Sequence, residues 1–222
     1  MPDTLRQNLE IVRDRIARAA AKAGRDPAAI TLIAVTKIFP ASAIREAYEL
    51  GLRDFGENYV QEFEGKAPEV ADLAEARFHL IGHLQSNKAR KASELFHTVQ
   101  TVDSAKLARR LHDAGKALDV MLEVKLSEEE NKSGADPAEI PALIEAVRAR
   151  SNLRLLGLMT MPPWSDDPEP SRPYFRRLRE LAVQHGVTGL SMGMSHDLET
   201  AIEEGATHVR VGTALFGKRK KP

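Results

Sequence analysis

The chain has 222 residues, of which 42% are hydrophobic and 29% charged, a composition typical of a folded globular protein with a sizeable core. Lys and Arg number 32 and so do Asp and Glu, so no overall charge is available to attract nucleic acid or an anionic membrane. Cysteine is absent, which excludes disulfides, thiolate metal sites and a cysteine nucleophile.

The first segment predicts an amphipathic helix that ends at Gly24. Charged residues recur every few positions, which is incompatible with a signal peptide or a membrane span, so we expect a cytoplasmic protein. The apolar residues that share one helical face are Leu5, Leu9, Val12, Ile16 and Ala19 or Ala20.

The segment TLIAVTK, residues 31–37, predicts a strand covered on both faces, as in a parallel sheet. About eight strands alternating with helical patterns predict a single-domain (β/α)8 barrel of the TIM type, with a doubly wound open sheet as the alternative. The other candidate strands are 53–55, 78–81, 97–102, 120–124, 153–159, 189–192 and 208–211.

One domain is expected to include residues 1–222, because no linker divides the chain. The segment after the last strand is too short for another domain. The opening helix is therefore expected to cover the place where an eighth helix would lie. We interpret the basic tail, 218–221, as a solvated terminus.

Lys37 closes the first apolar strand. In barrels of this kind the groups that carry chemistry lie where strands end, because the loops after the strands build the open face. Burial there removes hydration from the ammonium group and frees an amine for imine formation. A solvated lysine at the strand end is the alternative that position alone leaves open.

Two turns near the C-terminus are predicted to hold an anion. In the first, Gly193 gives the backbone room to turn and Ser195 begins a helix. In the second, Gly212 permits close approach, and Thr213 offers a hydroxyl and an amide. Both follow the last two strands, where barrel enzymes usually hold phosphate. Ordinary helix capping is the alternative for either turn alone.

Arg210 lies between Val209 and Val211 in the last strand. If the valines face the helices, Arg210 points into the barrel and needs either an acidic partner or a ligand. Barrel closure sets the last strand beside the first, so Arg210, Thr213 and Lys37 are expected to be neighbours. An amine, a guanidinium and a phosphate cradle around one cavity suit a phosphorylated aldehyde.

Other polar residues give weaker signals. Asn58 follows the second strand and either binds a ligand or caps a helix. His79 and His83 flank the third strand without the spacing of a metal site, so no metal is predicted. The polar loop 127–134, which contains Lys132, is interpreted as solvated.

The motifs of this chain resemble those of the pyridoxal phosphate homeostasis protein family, single-domain relatives of the alanine racemase N-terminal barrel. The resemblance extends from the opening helix to Gly217. The stretch SEEEN departs from the family pattern, which often has a shorter run of small residues before KSG. The segments that carry the resemblance, in chain order, are AVTKIFP, FGENYVQE, HLIGHLQSNK, NKSG, GLMTM, SMGMSHDLE and VRVGTALFG.

The resemblance implies that pyridoxal 5'-phosphate is bound as a Schiff base on Lys37. It also implies that Arg210 faces the pyridine nitrogen and that the two C-terminal turns hold the phosphate. No catalytic residue and no metal ligand are predicted. The expected cofactor-binding residues are Lys37, Asn58, His79, Gly193, Ser195, Arg210, Gly212 and Thr213.

An arginine at the ring nitrogen favours its unprotonated form and a weak electron sink, so transaminase chemistry is not expected. A two-base racemase needs an acid on the opposite face of the substrate, which alanine racemases take from a tyrosine of a second domain. No such domain is expected in this chain, and its three tyrosines, Tyr48, Tyr59 and Tyr174, are expected on helices or loops.

The family resemblance implies a carrier, expected to be a monomer or a weak dimer, that holds pyridoxal phosphate for buffering or transfer in cellular vitamin B6 homeostasis, rather than an enzyme. Its predicted partners are the cofactor and, transiently, apoenzymes that use it, without nucleic acid or membrane. A racemase-like enzyme of low or narrow activity is the alternative. A third hypothesis is a phosphosugar enzyme in which Lys37 forms an imine with a substrate carbonyl.

Overall fold

The computed structural model describes residues 4–129 and 133–217. Eight parallel strands follow one another in chain order and close into a barrel. The first and last strands pair from Thr31 with His208 to Ala34 with Val211. This pairing confirms the predicted (β/α)8 barrel and excludes the open sheet, whose end strands do not meet. The strands are β1 Thr31–Val35, β2 Asp54–Glu57, β3 Arg77–Leu80, β4 Thr98–Val102, β5 Leu118–Glu123, β6 Leu153–Met159, β7 Gly189–Met194 and β8 His208–Val211.

Nine α-helices lie in the described part of the chain, and each strand from β1 to β7 is followed by one of them. The helix after β8 has only four residues. No described helix is long and apolar enough to cross a membrane. The helices are α1 Leu5–Lys22, α2 Ala41–Glu49, α3 Val60–Lys66, α4 Ala89–Leu95, α5 Ala105–Asp113, α6 Ile140–Arg148, α7 Arg172–Gln184, α8 Leu198–Glu203 and α9 Thr213–Phe216.

Helix α1 begins with a capping box, in which Gln7 N donates to Thr4 Oγ1 and Thr4 N donates to Gln7 Oε1. It packs against α8 and α9, and Asn8 Nδ2 donates to Leu215 O at 2.8 Å. The opening helix therefore covers the place that a full-length eighth helix would fill, as predicted. Its buried residues are Leu5, Leu9, Val12, Ile16, Ala19 and Ala20.

The strands alternate between apolar side chains that face the helices and more polar side chains that face the barrel interior. Val209 and Val211 belong to the hydrophobic core between barrel and helices, whereas Arg210 is buried inside the barrel. The predicted orientation of β8 is therefore correct. Side chains that meet in the barrel interior include those of Asp54, His79, Gln100, Ser191 and Arg210.

Candidate functional site

A cavity of about 500 Å³ opens where the strands end, at the face built by the loops that follow them. Polar groups from both ends of the chain meet there, because β8 closes against β1. Its lining residues are Val35, Lys37, Asn58, Ile81, Met161, Trp164, Met194, Ser195, His196, Arg210, Gly212, Thr213 and Ala214. Six of the eight residues predicted to bind a cofactor are among them.

Lys37 leaves β1 in a tight turn that directs it to the cavity. Phe39 N donates to Thr36 O at 3.0 Å, which closes the turn around the lysine. Ile38 has φ 64°, a left-handed conformation that costs a β-branched residue about 1–3 kcal/mol. Contacts from neighbouring elements must therefore hold this turn.

An ion-pair cluster, defined here as Thr36, Glu57, Glu62 and Lys66, holds the turn, and all of its members except the partly exposed Glu62 are buried. Lys66 Nζ donates to Thr36 O at 3.0 Å and to the two Glu57 oxygens at 3.0 and 3.2 Å. Thr36 Oγ1 donates to Glu57 Oε1 at 2.8 Å, and Glu62 accepts from both Lys66 and the Ile38 N–H. Burial raises the pKa of Glu57, and Lys66 opposes that rise. Sequence reasoning did not identify this cluster, because its members do not share a motif.

Arg210 lies at the cavity wall and is 3% exposed. Its Nη1 donates to Ser191 Oγ at 2.6 Å and its Nη2 to Thr160 O at 3.0 Å. Burial lowers the pKa of Arg210 to about 10, although the carboxylates of Asp197 and Glu123 act in the opposite direction. The guanidinium is therefore still charged at neutral pH, and its charge faces the same space as Lys37.

The Ser195 hydroxyl joins the two predicted anion-holding turns, since its Oγ accepts from Gly212 N and from Ala214 N, both at 3.2 Å. Helix α9 begins at Thr213, and Gly212 lies close to Val35. The prediction that Ser195 begins a helix is wrong. Asp197 closes that turn by accepting from Met194 N at 2.7 Å, and α8 starts only at Leu198.

Gly193 and His79 do not line the cavity, although both were predicted to bind the cofactor. Gly193 has φ +88°, and a Cβ there would lie 2.4 Å from Ala201 Cβ, so this glycine lets β7 pack against α8. His79 is 3% exposed in the barrel interior, with its Nε2 2.8 Å from Asp54 Oδ1 and its Nδ1 3.1 Å from Gln100 Nε2. Its position in mid-strand places it below the cavity.

The cavity has an apolar wall that sequence reasoning missed. Trp164, the only tryptophan in the chain, is 69% exposed, and its ring centroid lies 4.0 Å from that of His196. Met161 and Met194 lie beside this pair in the same cavity lining. The one available signal was position, because Met194 ends β7 and the other three residues lie in the segments that follow β6 and β7.

The loop after β5 lies only partly within the described residues. Lys132, predicted to be in a solvated loop, lies outside them. Ser133 Oγ lies 3.2 Å from His83 Nδ1. In the described ranges 4–129 and 133–217, no group of three or more potential metal ligands was found.

A second depression, of about 550 Å³, lies at the opposite end of the barrel, where the strands begin. Asp119 accepts from Arg154 Nε and Nη2 at 2.7 Å each and from Arg77 Nη2 at 3.1 Å. These charges satisfy one another, so their arrangement is that of a structural ion-pair cluster. We assign the candidate site to the cavity at the strand ends, where an amine, a guanidinium and hydroxyls converge.

Comparison with known proteins first defines the class of barrel. Residues 2–220 match the family model described as alanine racemase, N-terminal domain. The alanine racemase of Corynebacterium glutamicum has a similar fold, with a TM-score of 0.68 at 20% identity over 93% of this chain and 61% of that chain. The architecture is therefore that of the alanine racemase N-terminal barrel.

Two relatives of higher identity define the family. The pyridoxal phosphate homeostasis protein of Pseudomonas aeruginosa is 51% identical over 222 aligned positions, in an alignment that covers 97% of this chain and 96% of the relative. PipY of Synechococcus elongatus, solved with pyridoxal phosphate bound, gives a TM-score of 0.80 at 42% identity over 91% of this chain and 100% of that chain. The chain belongs to the pyridoxal phosphate homeostasis protein family, which confirms the resemblance found in its motifs.

Proposed function

We propose that this protein binds pyridoxal 5'-phosphate as a Schiff base on Lys37 Nζ and holds it reversibly for buffering or transfer. One observation carries the proposal: a single cavity of about 500 Å³ is lined by Lys37, by Arg210 and by the two turns that contain Ser195 and Thr213. Membership of the homeostasis family and the cofactor bound to PipY of S. elongatus support it.

Each polar group has a role in this proposal. Lys37 supplies the amine that captures the aldehyde of the cofactor. The Ser195 hydroxyl and the start of α9 at Gly212 and Thr213 hold the phosphate. Arg210 faces the pyridine nitrogen and Asn58 lies beside the ring. When bound, the cofactor supplies an electrophilic aldehyde and an electron sink that a neighbouring cation weakens.

The positions of the tyrosines support carriage rather than racemisation. None of the three lines the cavity. Tyr59 is 59% exposed beside a neighbouring depression, Tyr48 carries the Arg53 guanidinium 4.0 Å from its ring centroid, and Tyr174 belongs to α7. A two-base racemase needs a second acid opposite the lysine, and these tyrosines do not supply it.

We propose that apoenzymes receive the cofactor through the open cavity.

The direct test is to identify the modified lysine. Protein incubated with pyridoxal phosphate and reduced with borohydride should gain the mass of one reduced cofactor on the peptide that contains Lys37. Lys37→Ala should lose this adduct, whereas Lys88→Ala, at a half-buried lysine of the neighbouring depression, should keep it. Adducts confined to other lysines would contradict the proposal. A sugar-phosphate adduct in protein as purified would instead support the phosphosugar hypothesis.

A second experiment separates carriage from catalysis. The loaded protein is incubated in D2O with a panel of amino acids, and deuterium at the α-carbon is measured. A carrier should give no exchange above the rate of free pyridoxal phosphate. Exchange that Lys37→Ala abolishes would favour the racemase-like alternative, because racemisation requires removal of the proton from that carbon.

A further inference from the structure

Five polar side chains form a continuous hydrogen-bonded chain through the barrel interior, called here the interior chain: Asp54, His79, Gln100, Ser191 and Arg210. Successive distances are 2.8 Å from Asp54 Oδ1 to His79 Nε2, 3.1 Å from His79 Nδ1 to Gln100 Nε2, 2.6 Å from Gln100 Oε1 to Ser191 Oγ, and 2.6 Å from Ser191 Oγ to Arg210 Nη1. The interior chain connects β2, β3, β4, β7 and β8 and ends with Arg210 at the cavity wall.

With a singly protonated imidazole, the chemistry of the two ends sets the direction of every hydrogen bond. A guanidinium can only donate and an ionised carboxylate can only accept. Arg210 therefore donates to Ser191, whose hydroxyl donates to the Gln100 carbonyl oxygen, and the Gln100 amide donates to His79 Nδ1. With one proton on the imidazole, that proton is on Nε2 and points to Asp54.

The other orientation of the Gln100 amide does not fit a singly protonated His79. Turned over, Gln100 would offer its oxygen to His79 Nδ1 and its amide to Ser191, so the imidazole would need a second proton. The amide orientation and the imidazole tautomer are thus coupled. A chain of donors that all run one way also polarises each member, which strengthens the bond to Arg210.

Arg210 needs such support, because among the described residues no carboxylate lies within ion-pair distance of its guanidinium. Its positive charge therefore remains available to a guest in the cavity. The contacts with Ser191 and with Thr160 O, at 3.0 Å, account for two of its five N–H donors and fix the plane of the group.

We propose that the interior chain is a positioning relay, in which Asp54, His79, Gln100 and Ser191 hold the Arg210 guanidinium in one orientation at the cavity wall. Burial lowers the pKa of Arg210 only to about 10, so the group that the relay positions is charged at neutral pH. His79 thus serves the site from behind the cavity wall. The consequence for a bound cofactor rests on the proposed function: a fixed cation at the ring keeps the pyridine nitrogen unprotonated.

The relay makes a prediction that does not involve the cofactor. In ¹⁵N-histidine-labelled protein, with the His79 signal assigned by its loss in His79→Asn, NMR should show the Nε2–H tautomer with Nδ1 unprotonated. Gln100→Leu should shift the Nδ1 signal, because its donor is removed, and Thr101→Val should not. Thr101 is a matched control, since it is a buried residue of β4 whose hydroxyl bonds to Gly82 O instead. An Nδ1–H tautomer in the wild type would overturn the relay.

The cofactor-loaded protein gives the second measurement. The pH midpoint of the visible absorption band should move by about one unit in Gln100→Leu and in Ser191→Ala, because a shift of this size corresponds to the loss of one hydrogen bond to a charged group. The midpoint should stay unchanged in Thr101→Val. Unchanged midpoints in all variants would overturn the relay. If the proposed function is wrong, the wild-type protein itself will form no coloured adduct with pyridoxal phosphate. The NMR measurement of the His79 tautomer will still decide whether the relay exists. If Gln100→Leu does not fold, the wild-type tautomer and Ser191→Ala decide it.

Discussion

Glu123, at the end of β5, is a buried carboxyl group whose protonation is coupled to folding. It is 2% exposed, and burial, followed by the nearby charge of Asp103, raises its pKa to about 7, while Arg210 opposes the rise. Its Oε2 has no hydrogen-bond partner among the described residues. Because the folded protein binds this proton more tightly than the unfolded chain does, Glu123 favours folding most when it is protonated.

This coupling predicts a pH-dependent effect of Glu123→Gln. The contribution of Glu123 to stability is fully present below pH 4.5, its ordinary pKa, and is lost as the pH rises to about 7. Glutamine carries no such charge, so the variant should match the wild type at low pH and exceed its free energy of unfolding by up to about 3 kcal/mol above pH 7. Urea unfolding of both proteins across this range measures the difference. A difference that does not grow with pH would contradict the argument.

At the scale of single elements, the turn after β1 shows how a strand end becomes a site. The turn holds Ile38 at φ 64°, and the cluster of Thr36, Glu57, Glu62 and Lys66 fastens it to β2 and α3. Lys66 is the central member, since it contacts both carboxylates and the backbone of the turn. The orientation of Lys37 therefore depends on Lys66, a residue of helix α3.

Lys66→Met should remove about 3 kcal/mol of stability, because it leaves the Glu57 carboxylate buried and unpaired. It should also slow adduct formation on Lys37, since the turn loses an anchor. Lys91→Met is the matched control, because Lys91 pairs with Glu64 and Glu94 at the surface, where solvent screening leaves ion pairs with little effect on stability. Urea unfolding and the rate of colour formation are measured for both. Equal effects would show that the cluster has no special role.

At the scale of the whole molecule, α1 seals the barrel where the chain begins and ends. Its apolar face covers α8 and α9, and Arg15 pairs with Glu199 of α8 at 2.6 Å. The last two helices border the turns that the proposed function assigns to phosphate. The opening helix therefore supports the site from outside, although it contributes no residue to the cavity lining.

Leu9→Ala in this helix should destabilise the protein by about 2–5 kcal/mol, because Leu9 is 2% exposed and its removal leaves a cavity against the barrel. Ile11→Ala, on the opposite face at 55% exposure, should cost less than about 0.5 kcal/mol. Thermal and urea unfolding report both values. Similar losses for the two variants would mean that α1 does not depend on its apolar face.

Much of the fold was predictable because periodicity is a local property. Apolar runs and helical patterns located all eight strands to within a few residues, and the alternation of valines around Arg210 predicted which way that residue points. The site was predictable only in part. Lys37, Asn58, Ser195, Arg210, Gly212 and Thr213 line the cavity, whereas His79 and Gly193 lie behind it.

By itself the sequence determined the barrel, the lysine at the strand end and the motifs of the family, because each of these features depends on residues that are close together in the sequence. Only the tertiary structure decided which side chains share the barrel interior, because strand register and closure set them side by side from distant parts of the chain. Asp54 and Arg210 illustrate the limit. No spacing in the sequence joins them, yet three intervening side chains connect them by hydrogen bonds inside the barrel.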